Sequence, residues 1–578
     1  MKRRWSKVAW SITILIMMML FSVSAVAQET AIISQKDIFH PVIGRNGMVA
    51  TQQQYATDAG LQVLKEGGNA VDAAVTIGFT LAVTLPRAGN IGGGGFMLIH
   101  SADSRETVAL DYREKAPMNA TRDMFLDENG DADPEKSRYS YLAAGVPGTV
   151  AGMTLALEKY GTISLKRALE PAIRYAEKGF PVDPGFRESL IAAKKRMQAS
   201  DASMKVFFKK GGQPYDVGDL FIQKDLTRTL KLIARKGKDG FYKGDIADKI
   251  VAVMRANGGL ITKADLAKYS PVLRKPIHGT YRGYDIYSMP PPSSGGVHIV
   301  QILNMLEGFP ISYLGHNTAA TIHLMVEAMK LAYADRSKHL GDSDFVPVPV
   351  KGLISKAYAD ALREKIDPHR ATPSSTVLPG DPGKFESNDT THFSVLDRHG
   401  NAVSNTFTIN FSYGSKLTVP GAGFLLNNEM DDFSAKPGVP NAYGLIGGEF
   451  NAVAPEKRML SSMSPTIVLK DGAPFLITGS PGGSRIITTT LQVIMNVIDH
   501  GMNMAAASNA FRIHHQWLPD EIRIEQGLSQ DTIGILRQMG HTVAVKNAMG
   551  STQSIMLKNG VFLGASDPRR TGALTLGF

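Results

Sequence analysis

A threonine pair, Thr390-Thr391, heads a strand-like run from His392 to Asp397 and follows a polar, turn-rich stretch ending in Asn388-Asp389. A hydroxyl is a weak nucleophile unless a base removes its proton. An N-terminal threonine carries that base itself, because a free α-amine titrates at roughly 7.7–8.0 and accepts a proton near neutral pH. A chain can create such an amine by cutting itself between Asp389 and Thr390. Taken alone, the pair reads as an ordinary β-edge dipeptide, since short motifs are weak signals.

Other residues could complete a site around it. Arg-His-Gly at 398–400 joins the first run to a second, Ala402 to Ile409. A three-residue hairpin loop wants its last residue in the left-handed region, which suits Gly400. Centring the hairpin on His399 pairs residues whose numbers sum to 798, placing Thr408 opposite Thr390 unless a bulge shifts the register. Gly482 and Gly483 stand between the Phe475–Thr478 strand and a helix over Arg485–His500 that is stopped by Gly501. Glycines at a helix N-terminus offer free N–H groups to an oxyanion, although a tight strand-to-helix turn has the same signature. Asn410, Glu429 and Asp432 are able to surround an ammonium, and no histidine falls in ligand spacing with them to favour a metal. Arg113 follows the strand Thr107–Asp111, where a guanidinium could grip a carboxylate with two prongs or simply join a surface ion pair.

These positions fall in blocks: Asp111 to Pro117, Met289 to Gly296, Asn388 to Ser394, Thr408 to Asn410, Leu426 to Phe433, Leu460 to Thr466 and Gly479 to Arg485. In order and spacing the set resembles γ-glutamyltranspeptidase, over nearly the whole chain after the leader. The resemblance implies an N-terminal-nucleophile hydrolase made as a self-cleaving precursor. Its fold would be a four-layer αββα sandwich formed jointly by two chains, a large one over 28–389 and a small one over 390–578 that begins with the catalytic threonine. It assigns Arg113, Ser461 and Ser462 to the substrate α-carboxylate, and Asn410, Glu429 and Asp432 to its α-amine. Relatives often carry Gln at the position of Glu429, and many carry Pro where this chain has Met459. Lys436 to Ala454, with Tyr443 near its centre, resembles the family's lid over the substrate. That loop favours γ-glutamyl transfer, from glutathione and similar donors to water, amino acids or peptides, over a cephalosporin (glutaryl) acylase or a poly-γ-glutamate-processing relative. An uncleaved, exported binding protein for glutamyl peptides is the alternative outside enzymes. The chemistry implied needs no cofactor and no metal.

The rest of the chain must position these groups. Residues 1–27 have a basic start, an apolar core from Trp10 to Val23 and a small-residue cleavage site at Ala25-Val26-Ala27, the pattern of a secretory signal peptide. Export to the periplasm or medium follows. There is no cysteine among the 578 residues, so disulfides, thiolate catalysis and Cys metal sites are excluded. The net charge of +10 includes four basic residues of the leader, and no basic stripe with stacking aromatics suggests nucleic acid. Helical spacing runs over Ala50–Leu64, Asn69–Leu81, Gly145–Lys159, Leu165–Lys178, Thr227–Arg235, Gly244–Asn257 and Thr321–His339. The glycines of 89–95 lead into a strand and lack a phosphate-loop lysine, so they read as tight backbone packing. Asp127 to Asp131 fails as a calcium loop, because Ala132 and Arg138 occupy its glycine and glutamate positions. Ala371 to Asp389 has the composition of a flexible surface segment. His514 and His515 read as structural, since neighbours on a strand face opposite ways.

Overall fold

The computed structural model describes residues 37–382 and 393–578. The proposed leader and the Asp389–Thr390 bond lie outside them. A compact unit spans His40–Phe578.

Strand alternation builds the layers. Successive side chains of a strand point to opposite faces, and here both faces are apolar. Met48, Ala50, Phe96 and Leu98 pack inward with Ile467, Leu469, Ile477 and Ile555, forming the core between two sheets. Their neighbours Val49, Met97 and Ile99 pack outward against helices that include Gln54–Lys65, Ala70–Thr84 and Leu165–Lys178. On the other sheet Val468, Leu476 and Met556 pack outward against Gly295–Glu307, Ala319–His339 and Arg485–Ile498. The result is the four-layer αββα sandwich. Every residue of Ala70–Thr84 is buried, as expected of a helix apolar all round. Its start is fixed by Asn69 and Asp72 in a reciprocal capping box.

The first sheet has the strand order Leu574–Gly577, Gly47–Thr51, Ser394–Asp397, Ala402–Thr408, Gly94–His100, Thr107–Tyr112, Val272–Arg274, all neighbours antiparallel. Strands from both sides of position 390 are therefore intermixed within it, Gly47–Thr51 lying between two from the later side. The hairpin register matches the expectation: Ser394 faces Ser404, Val395 faces Val403, and Gly400 adopts φ 89°. The second sheet is ordered Val42–Gly44, Val561–Ser566, Gln553–Lys558, Ala473–Thr478, Thr466–Lys470, Tyr284–Ser288, Ile277–Tyr281. The turn Asp471-Gly472 joins two of its strands with both residues at positive φ.

Two expectations need correction. Helical spacing from Ala50 begins too early: Gly47–Thr51 is a buried strand and the helix starts at Gln54. The segment 371–382, expected to be loose, is pinned in place. The Ala371 amide bonds Met539 O at 2.8 Å, the Ser374 amide bonds Asp520 at 2.8 Å, and the Trp517 indole donates to Ser374 O at 3.0 Å.

Candidate active site

Antiparallel pairing brings several chain crossings to one end of the first sheet. The strand ending at Thr408 pairs there with Gly94, and Gly95 pairs with Tyr112, just before Arg113. At the corresponding end of the second sheet, Thr466 pairs with both Thr478 and Ser288. This places the Ser461–Ser464 approach, the Gly479–Ser484 loop and the turn after Ser288 side by side. One cleft is lined by Arg113, Thr408, Asn410, Glu429, Asp432, Tyr443, Ser461, Ser462, Gly482 and Gly483. All the site residues expected from sequence are thus gathered except Asp389 and Thr390, which lie outside the described residues.

The glycine-rich stretch before Phe96 makes this convergence possible. A Cβ on Gly93 would fall 1.9 Å from Thr408 O, and one on Gly92 2.0 Å from Leu425 O. The glycines let three backbone segments touch, as the sequence suggested.

Thr408 Oγ1 accepts the Asn410 amide at 2.8 Å, which leaves its own proton free to donate. Asn410 sits at φ 70°. Its Nδ2 donates to Asn428 O at 3.0 Å and its Oδ1 accepts from the Tyr443 hydroxyl at 2.8 Å. Tyr443 thereby ties the 436–454 loop across the cleft, and its ring lies on Gly483, where a Cβ would come within 2.5 Å of it. Gly482 and Gly483 take φ values of 144° and 61°, open to glycine and strained for other residues. Neither amide donates to another described residue, and the loop leads into the Arg485–Ile498 helix. Two free N–H groups at a cleft wall are what an oxyanion requires.

The charged end differs from the expectation. Arg113, buried, does not stand apart with the serines. Its Nη1 donates to Glu429 Oε2 at 2.7 Å, its Nη2 to Asp432 Oδ2 at 2.6 Å, and its Nε to Met459 O at 3.4 Å. The two predicted clusters are thus one ion-paired group. A second guanidinium, Arg336, meets the serines: its Nη2 donates to Ser462 Oγ at 3.2 Å and its Nε to Ser294 Oγ at 2.9 Å. Burial brings Arg336 down to about 10. Met459, in place of proline, still leaves Ser461 fixed, because its amide donates to Pro292 O at 2.8 Å.

Three carboxylates surround Arg113, and one guanidinium cannot balance three buried negative charges. Glu114 is the outlier: it is 3.9 Å from Arg113 Nη1, and neither of its oxygens has a hydrogen-bond partner on another residue. Burial, against the pull of Arg113, pushes it up to about 8. Glu429 is also raised by burial, and its second oxygen, Oε1, is buried without a partner. An acceptor so placed suits an ammonium donor.

Sequence reasoning missed Arg336 and Glu114. A signal for Arg336 existed: the helix Ala319–His339, buried on almost every side, carries Glu327, Lys330, Asp335 and Arg336 into the interior, and buried charges must have partners. Among the described residues, His323, Glu327 and His541 have metal-ligand spacing, but they lie outside this cleft. They satisfy one another and their surroundings, His323 Nδ1 lying 2.7 Å from His541 Nε2 and Lys330 holding Glu327 at 2.9 Å. His514 and His515 are structural as expected, bonded to Thr488 and Asp520.

The sandwich, with this cleft at the shared end of its two sheets, is that of the N-terminal-nucleophile hydrolases. Residues 56–576 match the gamma-glutamyltranspeptidase family, and the chain belongs to it. It is 55% identical to the glutathione hydrolase proenzyme of Escherichia coli K12, over 94% of each chain. It is 49% identical to the proenzyme of the same name from Pseudomonas sp. strain A14, over 93% of this chain and 95% of that one. Among solved structures, a cephalosporin acylase from Bacillus halodurans superposes with a TM-score of 0.83 at 31% identity, covering 95% of this chain and 98% of that one. The gamma-glutamyltranspeptidase of Helicobacter pylori is 51% identical with a TM-score of 0.57, covering 60% of this chain and 97% of that one. The protein is an enzyme of the hydrolase and acyltransferase type.

Proposed function

We propose that this chain is an exported, self-cleaving γ-glutamyltransferase that takes the γ-glutamyl group from glutathione or similar donors. The observation that carries the reading is the meeting, in one cleft, of two unpaired glycine amides with a charged group able to hold both ends of an α-amino acid. In the precursor, Thr390 Oγ attacks the Asp389 carbonyl and displaces the Thr390 nitrogen. Water then hydrolyses the resulting ester and releases a free Thr390 amine. The two products, 28–389 and 390–578, stay together as a heterodimer.

In the mature enzyme the Thr390 amine takes the hydroxyl proton while Oγ attacks the γ-carbonyl. The Gly482 and Gly483 amides hold the oxyanion, and Thr408 orients the nucleophile. The proton passes to the departing amine, leaving a γ-glutamyl ester on Thr390. Water or an acceptor amine then attacks that ester by the same path reversed. Substrate binding exchanges partners at the charged end: the α-carboxylate takes up Arg113 with Ser461 and Ser462, and the ammonium takes up Asn410, Glu429 and Asp432. An acyl group without an ammonium, such as glutaryl, would leave the orphan oxygen of Glu429 unpaired, which supports the glutamyl reading over the acylase.

The test is Thr390→Ala. Wild type should run as two bands, with the smaller starting Thr-Thr-His-Phe, and release chromophore from a γ-glutamyl anilide. The variant should run as one band and release none. A two-band variant, or a wild type inert toward the anilide, overturns the reading.

A further inference from the structure

The cleft extends past the catalytic groups in the direction away from Arg113. The same end of the first sheet carries, strand by strand, Arg570 just before Leu574–Gly577, Gln52 just after Gly47–Thr51, the start of Ser394–Asp397, Thr408, and then Arg113 after Tyr112. Gln52, Arg87 and Arg570 line the same cleft as Thr408 and Gly482. Arg113 is thus two strand positions from Thr408 on one side, and Arg570 is three on the other.

Arg87 and Arg570 differ from the other arginines of the site. Arg113 is ion-paired and Arg336 is bonded to serines. Arg569, next in sequence, is held by Glu525 and Asp567. Neither the Arg87 nor the Arg570 guanidinium has an ion-pair or hydrogen-bond partner among the described residues. Asp567, the acidic group nearest in influence to Arg570, is committed to Arg512 and Arg569. Surrounding chain first, and the charge of Arg87 second, disfavour the charged form of Arg570, so the two cations feel each other. Two like charges facing one cleft without a counter-charge define an anion site, and planar guanidiniums suit a carboxylate.

Geometry sets the ligand's size. At about 4.8 Å per strand, three positions are roughly 14 Å. Two extended residues span roughly 7 Å, and an arginine side chain reaches over the remainder. We infer that Arg87 and Arg570 bind the C-terminal carboxylate of a dipeptide leaving group, and of a dipeptide acceptor entering by the same path. The inference rests on the γ-glutamyl reading above. Glutathione would then be gripped at both ends, by Arg113 at its α-carboxylate and by this pair at its glycine carboxylate.

The test compares kcat/KM of the processed enzyme for glutathione and for glutathione amidated at its glycine carboxylate, with a γ-glutamyl anilide as a donor lacking that carboxylate. Wild type should prefer the acid over the amide by on the order of tenfold, the loss of one charge-assisted bond. The preference should weaken as salt rises. In Arg87→Ala and Arg570→Ala it should shrink toward unity. A wild type that treats acid and amide alike overturns the subsite without need of any variant, as do variants that keep the full preference. Anilide turnover by wild type separates the failures. If it is present without acid preference, only the subsite falls; if it is absent, the γ-glutamyl reading falls and the subsite with it.

Discussion

Replacing Glu114 by Gln isolates the cost of burying a third carboxylate beside Arg113. Gln mimics the protonated acid in shape, and shape matters here: Glu114 Oε2 lies where a Cβ on Gly94 would be only 2.6 Å away. A carboxyl that titrates at about 8 in the folded chain and about 4.5 when unfolded holds its proton more tightly in the native state. Between those values the folded protein binds more protons than the unfolded one, so stability falls as pH rises. The contribution is fully present below pH 4.5 and lost as pH passes 8. At about 1.36 kcal/mol per unit, the full span corresponds to ~5 kcal/mol, an upper bound because the surroundings relax. Denaturant unfolding in the uncut Thr390→Ala background keeps the system a single chain. Glu114→Gln should match its parent near pH 4 and exceed it by ~2–5 kcal/mol near pH 9. A difference that stays constant across pH, or a Gln variant weaker at alkaline pH, would refute the reasoning, since Glu114 would then be ionised in the native state.

Two further substitutions probe the cleft. Gly483→Ala forces a left-handed φ on alanine and drives its Cβ to 2.5 Å from the Tyr443 ring; displacing one of the two proposed oxyanion donors should lower kcat for the γ-glutamyl anilide by roughly 100–1,000-fold. Arg336→Met removes the donor shared by Ser294 and Ser462; unfolding free energy should drop by ~1–3 kcal/mol, and KM should rise more than kcat falls if Ser462 receives the carboxylate.

Much of this site was legible because its residues are local in sequence to turns with strict chemistry. The hairpin around His399 has a loop length that fixes register, so Thr408 could be placed without coordinates. Gly482 and Gly483 lie at a strand-to-helix junction, recognisable from composition. What escaped depended on long-range packing. Gly47–Thr51 is apolar on both faces and gives no alternation, so it blurred into the helix behind it. The Leu574–Gly577 strand is four residues long and exists because Gly47–Thr51 offers it an edge. The tie between Arg113 and the acidic residues joins positions more than 300 apart in the chain. Sequence could name the charges but not their pairing, because pairing depends on how the sheets bring the loops together.

The intermixing of strands within the first sheet bears on what the proposed self-cleavage could change. Ser394–Asp397 lies between Gly47–Thr51 and Ala402–Thr408, and the C-terminal strand closes on the far side of Gly47–Thr51. Scission at 389–390 would therefore sever the covalent thread but none of the ladders among the described residues. The halves could part only by unzipping sheet hydrogen bonds and opening the hydrophobic interior, so dissociation and denaturation become a single event. Dilution alone should not separate them, because Ser394–Asp397 would stay paired to strands on both of its sides.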